Sequence, residues 1–332
     1  MTGAVPRQAR WTGPLGLAAA GVLLLALCLI SIGLGAGQFS YAELFGGAER
    51  AWQLLMVSRV PRTLALLLAG MSLAVAGLLM QMLVRNRYVE PSTAGTIESA
   101  TLGILVVTLL APGAPVLVKM LTATGFGLAG SLLFLALLRR VPLRSPFLVP
   151  LIGLILGGVI HAVTTYVALQ HDLLQSLQAW TTGDFSGVLR GRYELLWIGF
   201  ALTCAAYLTA DRYTLAGMGR EFASNLGLNY ARLALVGLLI VSAISAVVVV
   251  TAGSIPFLGL IVPNAVSLIL GDNMRRAIPW VALLGGIFVL ACDIVGRLRA
   301  GEASVWERFW SALARSPVYK KYCVVVHLLF FM

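Results

Sequence analysis

Nine apolar stretches divide this chain, near residues 15–35, 63–83, 94–111, 116–138, 148–168, 193–210, 231–250, 256–270 and 278–296, and polar or basic residues collect between them. A helix needs about 20 apolar residues to cross the hydrocarbon core of a bilayer. The pattern therefore predicts an all-α polytopic membrane protein whose transmembrane region occupies residues 1–300. The first stretch follows Arg7 and Arg10 and runs from Leu15 to Leu34. A cleaved signal peptide has a shorter apolar core and a small-residue cleavage site, so this stretch reads as a retained first span.

Composition points the same way. With 332 residues, 59% hydrophobic and 11% charged, and a mean hydropathy of +0.93, the chain cannot present the largely polar surface of a soluble domain. Its 35 glycines suit a membrane bundle, where small residues let helix backbones approach closely. The net charge of +11 is scattered between apolar runs with no basic stripe interleaved with aromatics, which argues against a nucleic-acid partner. With the N-terminus placed in the cytoplasm, twelve basic residues fall in inner loops and eight in outer ones, in the sense of the positive-inside rule. Cys28, Cys204, Cys292 and Cys323 lack metal or redox spacing and read as core packing residues. The three lysines, Lys119, Lys320 and Lys321, follow no phosphate-cradling glycine pattern, so ATP hydrolysis is expected on another polypeptide. His161, His171 and His327 are isolated, and neither a catalytic triad nor a metal cluster is expected.

The longest inner loop contains Gly219 to Arg232, GREFASNLGLNYAR, a polar peptide between two apolar runs. Glu221 to Leu226 has the character of a short helix, Gly227 of a left-handed stop, and Asn229 of a cap for the next helix. From pattern alone it is either an interfacial connector or a docking element.

These residues carry a resemblance. Glu221 to Asn229, followed by one span and then Ala252-Gly-Ser-Ile-Pro-Phe-Leu-Gly-Leu-Ile-Val-Pro263-Asn264, resembles the coupling region and the G-x-I-x-F-x-G-L-I-V-P-H motif of FecCD-type permeases. Those are the membrane subunits of ATP-binding-cassette importers for iron-siderophores, haem and vitamin B12. The similarity extends through Arg59-Val-Pro-Arg62, Gln81 to Asn86, Glu90-Pro91, Leu151 to Gly158, Trp180-Thr-Thr-Gly-Asp184, and Gly271-Asp272 to Arg297, covering roughly residues 15 to 300.

The resemblance implies a vitamin B12 importer permease-like fold of about nine to ten transmembrane helices in the bacterial inner membrane. It also implies a second permease, the same chain or a related one, a cytoplasmic ATPase dimer that holds ATP and Mg, and a periplasmic or lipid-anchored binding protein. No cofactor is expected on this chain. The implied ATPase-coupling element is Gly219, Arg220, Glu221, Phe222, Ala223, Ser224, Asn225, Leu226, Gly227 and Leu228. Arg59, Arg62 and Arg297 match positions that pair with acidic residues of the binding protein, the other reading being that they anchor helix ends at the lipid headgroups. Asp293 lies four residues before Arg297, which suits a pair within one helix. Glu98, Pro263 and Asn264 are candidates for the path or gate, since an ionisable group at membrane depth is a functional hypothesis by default. The expected cargo is a ferric siderophore. Vitamin B12, haem, and an ion-coupled secondary carrier remain as alternatives.

After Arg299 the family continues with an E-x-P-x-G motif and a Gly-rich tenth span, whereas residues 301–332 form an atypical tail interrupted by Glu307, Arg308, Arg315, Lys320 and Lys321. Trp306, Phe309, Trp310 and Leu313 recur at helical spacing, so the tail is either an interfacial helix or the product of an altered reading frame.

Overall fold

The computed structural model describes residues 13–34, 49–141, 147–271 and 273–301. The tail readings, including Trp306 and its helical neighbours, fall outside the described residues, as do Cys323 and Asp272.

Among the described residues the regular structure is helical. Helix α1 is Pro14–Gly33; α2, Glu49–Leu54, runs through a π-helical turn, Leu55–Arg59, into α3, Val60–Val84. Then come α4 (Thr96–Leu110), α5 (Val116–Arg140), α6 (Leu148–Gln170) and α7 (Leu174–Thr181). A 3₁₀ turn at Tyr193–Leu195 leads into α8 (Leu196–Leu208), followed by α9 (Ala210–Gly217), α10 (Arg220–Asn225), α11 (Tyr230–Ala252), α12 (Leu258–Leu270) and α13 (Met274–Gly301). Prolines sit in the first turns of α1 and α3, where a missing amide costs nothing. Arg85 ends α3 in a left-handed conformation, φ 56°, and the Asn86 amide turns back to the Gln81 carbonyl at 3.0 Å.

Helix α3 is the axis of the subunit. Helices α8, α9, α11, α12 and α13 pack around it, and α1 lies against α13. A second group forms where α4 packs on α5 and α6, joined to the first by α11. Two glycine pairs set the closest approaches to α3. A Cβ on Gly70 would stand 2.7 Å from the Gly285 carbonyl oxygen of α13, and one on Gly77 would stand 2.1 Å from the Gly259 carbonyl oxygen of α12. No side chain larger than hydrogen fits at either crossing without moving backbone.

All nine predicted stretches contain helix, but they differ in length. Among the described residues six helices are long and apolar enough to cross a bilayer, and a seventh crossing there would have to use the pair Tyr193–Leu208 and Ala210–Gly217, bent by 66°. Helices α4 and α12, with 15 and 13 residues, fall short of a full crossing. Length and composition therefore do not confirm the expected nine to ten spans. One expectation is corrected: Cys204 and Cys292 are exposed on the outside of the subunit, and only Cys28 is partly buried. Both exposed thiols sit on apolar helices, Cys204 on α8 and Cys292 on α13, where lipid or a partner can replace protein as the apolar surrounding.

The glycine crossings generate a direct expectation. Gly77→Ala is expected to cost about 1–3 kcal/mol by forcing α3 and α12 apart, read as a lowered thermal midpoint of the purified chain in detergent. Gly125→Ala, which meets nothing within 4 Å, is expected to leave that midpoint unchanged or slightly raised. Equal behaviour of the two variants would contradict the packing account.

Candidate functional site

Four groups of polar residues stand out against the apolar body, and the first is a latch on α12. Pro263 lies inside that helix and has no amide to give the Gly259 carbonyl one turn earlier. The side chain of Gln81, from α3, fills the gap by donating to that carbonyl at 3.2 Å. At the start of α12, Phe257 is left-handed with φ 64°, and its amide donates to Glu90 Oε1 at 2.7 Å. The Gly259 and Leu260 amides also face the Glu90 carboxylate, and Ser92 donates its hydroxyl to it. Glu90 is 2% exposed. A buried anion is thus held at the positive end of a helix, where orphan amides and the helix dipole compensate its desolvation. Asn264 closes the latch, donating through Nδ2 to the Arg87 carbonyl at 2.8 Å. The segment between α3 and α4 is consequently bound at Arg87 and Glu90 to the middle and the start of α12.

The second group joins two motifs far apart in sequence. Thr182-Gly183-Asp184 lies on Ala252-Gly253-Ser254, with the Asp184 amide donating to the Ala252 carbonyl at 2.8 Å. A Cβ on Gly253, φ 83°, would stand 2.2 Å from the Thr182 carbonyl oxygen, and one on Gly183 would stand 2.6 Å from that of Ser254. The Ser186 hydroxyl and amide, both bound to the Asp184 carboxylate, hold its pKa below the ordinary aspartate value.

The third group gathers the three predicted docking arginines at the end of α1. Arg59 donates to the carbonyls of Ile32 and Gly33, at 2.8 and 3.0 Å, and Arg297 to those of Ser31 and Leu34, at 2.9 and 2.8 Å. Arg62 pairs with Asp293 at 2.7 Å, and Asp293 pairs within its helix with Arg297 at 2.5 Å, as the four-residue spacing predicts. Two cations at the negative end of α1 satisfy carbonyls that the helix leaves without partners.

The fourth group is the polar loop from Gly219 to Arg232. Helix α10 forms over Arg220–Asn225, Gly227 is left-handed at φ 78°, and Asn229 caps α11 by accepting from the Arg232 amide at 3.0 Å, each as the sequence predicts. Ala223 is fully buried and anchors the helix, while Met218, Phe222 and Leu226, spaced by four, are 57%, 43% and 55% exposed. Beside them a cleft of about 500 Å³ opens between the ends of α3, α9 and α12, lined by Gln81, Arg85, Arg87, Thr214 and Met218 among others. Glu98 is remote from this loop, in a separate pocket against α6.

The structure thus places Pro263 and Asn264 in one latch, brings Arg59, Arg62 and Arg297 together, and leaves Glu98 apart. Gln81 and Glu90 have no role in the sequence reading beyond the motifs they belong to. Their signal was Pro263 itself, which predicts an unpartnered carbonyl at Gly259, and an acid set in an apolar neighbourhood.

Glu90→Ala is expected to destabilise the chain by about 1–3 kcal/mol, seen as a lower unfolding midpoint, and Glu90→Gln by less because the amide still fills the site. Unchanged midpoints would remove the latch from the account. Because the pKa of Asp184 is lowered by folding, its contribution is complete above the ordinary aspartate range and is lost as pH falls through the lowered value. Hydrogen exchange at the Ser186 amide is expected to accelerate on acidification in the parent and to show no such step in Asp184→Asn; a parent without the step would contradict the assignment.

Comparison with known proteins agrees with this geometry. Residues 23–314 match the FecCD transport family. The chain is 45% identical over 277 residues to the petrobactin import system permease protein YclN of Bacillus subtilis (strain 168), covering 83% of this chain and 88% of that one. It is 42% identical over 272 residues to the ferric-anguibactin transport system permease protein FatD of Vibrio anguillarum (strain ATCC 68554 / 775), covering 82% and 87%. Its fold resembles a metal-chelate-type ABC transporter solved in an inward-facing conformation, with a TM-score of 0.70 at 23% identity over 86% of this chain and 91% of the other. With most of its length matched, and with the family's motifs meeting in the latch on α12, this chain belongs to the FecCD transport family.

Proposed function

We propose that this chain is the membrane permease subunit of an ATP-driven importer that moves a ferric siderophore across the bacterial inner membrane by alternating access. The petrobactin and anguibactin permeases similar to it support the cargo class. The observation that carries the coupling role is α10 itself. This polar helix has one buried anchor, Ala223, and an exposed Phe222, and the flanking Met218 and Leu226 are exposed as well. Exposed apolar side chains in so hydrophilic a segment suit a groove on a soluble partner better than lipid, because Glu221, Ser224 and Asn225 are exposed beside them. The partner is a cytoplasmic ATPase dimer holding ATP and Mg, and Gly219 to Leu228 is its contact. This requires the N-terminus to lie in the cytoplasm, with α4 and α12 counted as short spans to make nine. A second permease, identical or related, completes the path.

At the opposite end, Arg59, Arg62 and Arg297 are the proposed contact for a periplasmic or lipid-anchored binding protein. Their heads are turned inward, Arg59 onto the carbonyls that end α1 and both Arg62 and Arg297 onto the one carboxylate of Asp293, so that this pair of cations carries more charge than the acid between them. An acidic partner is attracted by that field before any contact forms. The latch on α12, with Pro263 and Asn264, is the proposed gate element, since α12 is short and is held at its start by Glu90 and Gln81 and at its middle by the Arg87 carbonyl.

Uptake of ferric petrobactin by cells lacking their own permease tests the coupling role. Phe222→Asp and Leu226→Asp are expected to reduce uptake on the order of tenfold or more while the protein remains in the membrane, as loss of an interface anchor does. Trp197→Asp, an exposed change on α8, serves as the comparison for damage to the membrane body. Full uptake by both α10 variants would contradict the coupling assignment, and uptake of another chelate but not ferric petrobactin would correct the cargo alone.

A further inference from the structure

Outside the four groups above, a partly open pocket lies beside Glu98. It measures about 160 Å³ and is lined by Ile97, Glu98 and Thr101 of α4, His161 and Thr164 of α6, Thr181 of α7, and Ser254 before α12. That volume holds several water-sized groups. Gly157 makes the room: a Cβ there would stand 3.3 Å from Glu98 Cδ and 3.4 Å from Oε2, so the carboxylate rests on bare backbone. Oε2 is buried and accepts no hydrogen bond among the described residues.

The threonines give the pocket its sign. Each spends its only proton on the carbonyl one turn back along its own helix: Thr101 on Ile97 at 2.9 Å, Thr164 on Ile160 at 2.7 Å and Thr181 on Leu177 at 3.0 Å. What these hydroxyls have left are lone pairs. Ser254 and the exposed His161 complete the lining with groups that can donate as well as accept. The pocket therefore offers a carboxylate and three threonine hydroxyl oxygens whose remaining capacity is to accept. A carboxylate with one oxygen buried and unpartnered among the described residues is stabilised by a counter-charge or a donor-rich guest. An anionic guest would face that carboxylate and the threonine lone pairs.

We propose that the pocket beside Glu98 binds a monovalent cation, with oxygen ligands from Glu98, Thr101, Thr164 and Thr181. The oxygen-rich set suits a hard alkali-metal ion that keeps part of its water shell. The same chemistry accepts an alkylammonium group carried on a cargo molecule. The inference does not depend on the proposed transport activity, because binding is read on the isolated chain.

The test is equilibrium binding of radiolabelled sodium, rubidium and methylammonium to the full-length chain in lipid nanodiscs, each probe used separately at constant ionic strength. Saturable binding of at least one probe, with roughly one site per chain, is expected. Glu98→Gln is expected to weaken it about tenfold or more. The double change Thr101→Val and Thr164→Val, which keeps shape and removes two ligand oxygens, is expected to weaken it severalfold at an unchanged unfolding midpoint. Preference for sodium or rubidium identifies a free-ion site, and preference for methylammonium identifies an ammonium site; both support the proposal. No saturable binding of any probe, or binding that Glu98→Gln and the double variant leave intact, would overturn it in favour of a carboxyl group that keeps its own proton.

Discussion

The approach of α3 to α12 at Gly77 and Gly259 is the constraint on which the rest of the subunit depends. At that crossing the backbones touch with no side chain between them, so α12 enters the body of the protein as a short helix braced on its neighbour. Bringing a helix end into an apolar interior exposes unpaired amides and carbonyls, and each must find a partner there. Glu90 and Gln81 answer that need, one at the amide end of α12 and the other at the carbonyl that Pro263 leaves open. The charge of Glu90, costly in an apolar setting, is thereby a consequence of the glycine contact. The same close approach recurs between Gly70 and Gly285, which fixes α13 on α3 and so places Asp293 within reach of Arg62.

From this frame the two ends of the molecule acquire opposite characters. At the end of α1, Arg59 of the π-helical turn, Arg62 of α3 and Arg297 of α13 converge on its terminal carbonyls and on Asp293, giving a charged face held by hydrogen bonds. At the other end, α9 turns 66° from α8 and packs on α3, and α10 follows it with apolar side chains exposed on a polar segment. A charged face and a hydrophobic-tipped helix are different kinds of contact surface. The first attracts at a distance and the second inserts, which is the division of labour that delivery and energy coupling require.

Much of this was legible in the sequence where the physics is local. The apolar runs gave the helices, the spacing of Asp293 and Arg297 gave their pair, and Gly227 and Asn229 marked the stop and the cap around α10. Contacts that depend on distant segments were not legible. Nothing in the run of residues 256–270 says that its helix is braced on Gly77 and begins on the carboxylate of Glu90, because those partners lie more than 160 residues earlier. Nor does local sequence show that Arg59 and Arg297 turn back onto α1, or that Cys204 and Cys292 face outward, since burial is set by which side of a uniformly apolar helix meets α3. The family resemblance was legible because its motifs are made of these long-range contacts: Gly253, Phe257 and Gly259 are the residues that the crossings and the left-handed turn demand.

The central claim is that α10 hands the work of a soluble ATPase to this bundle. Photocross-linking from a benzoyl-phenylalanine placed at Phe222, in membranes containing the whole transporter, tests it most directly. The account predicts a cross-link to the cytoplasmic ATPase chain from that position and none from the same probe at Leu154 on the exposed face of α6. Cross-linking from Phe222 only to lipid or to another permease, with the ATPase present in the same membranes, would contradict it.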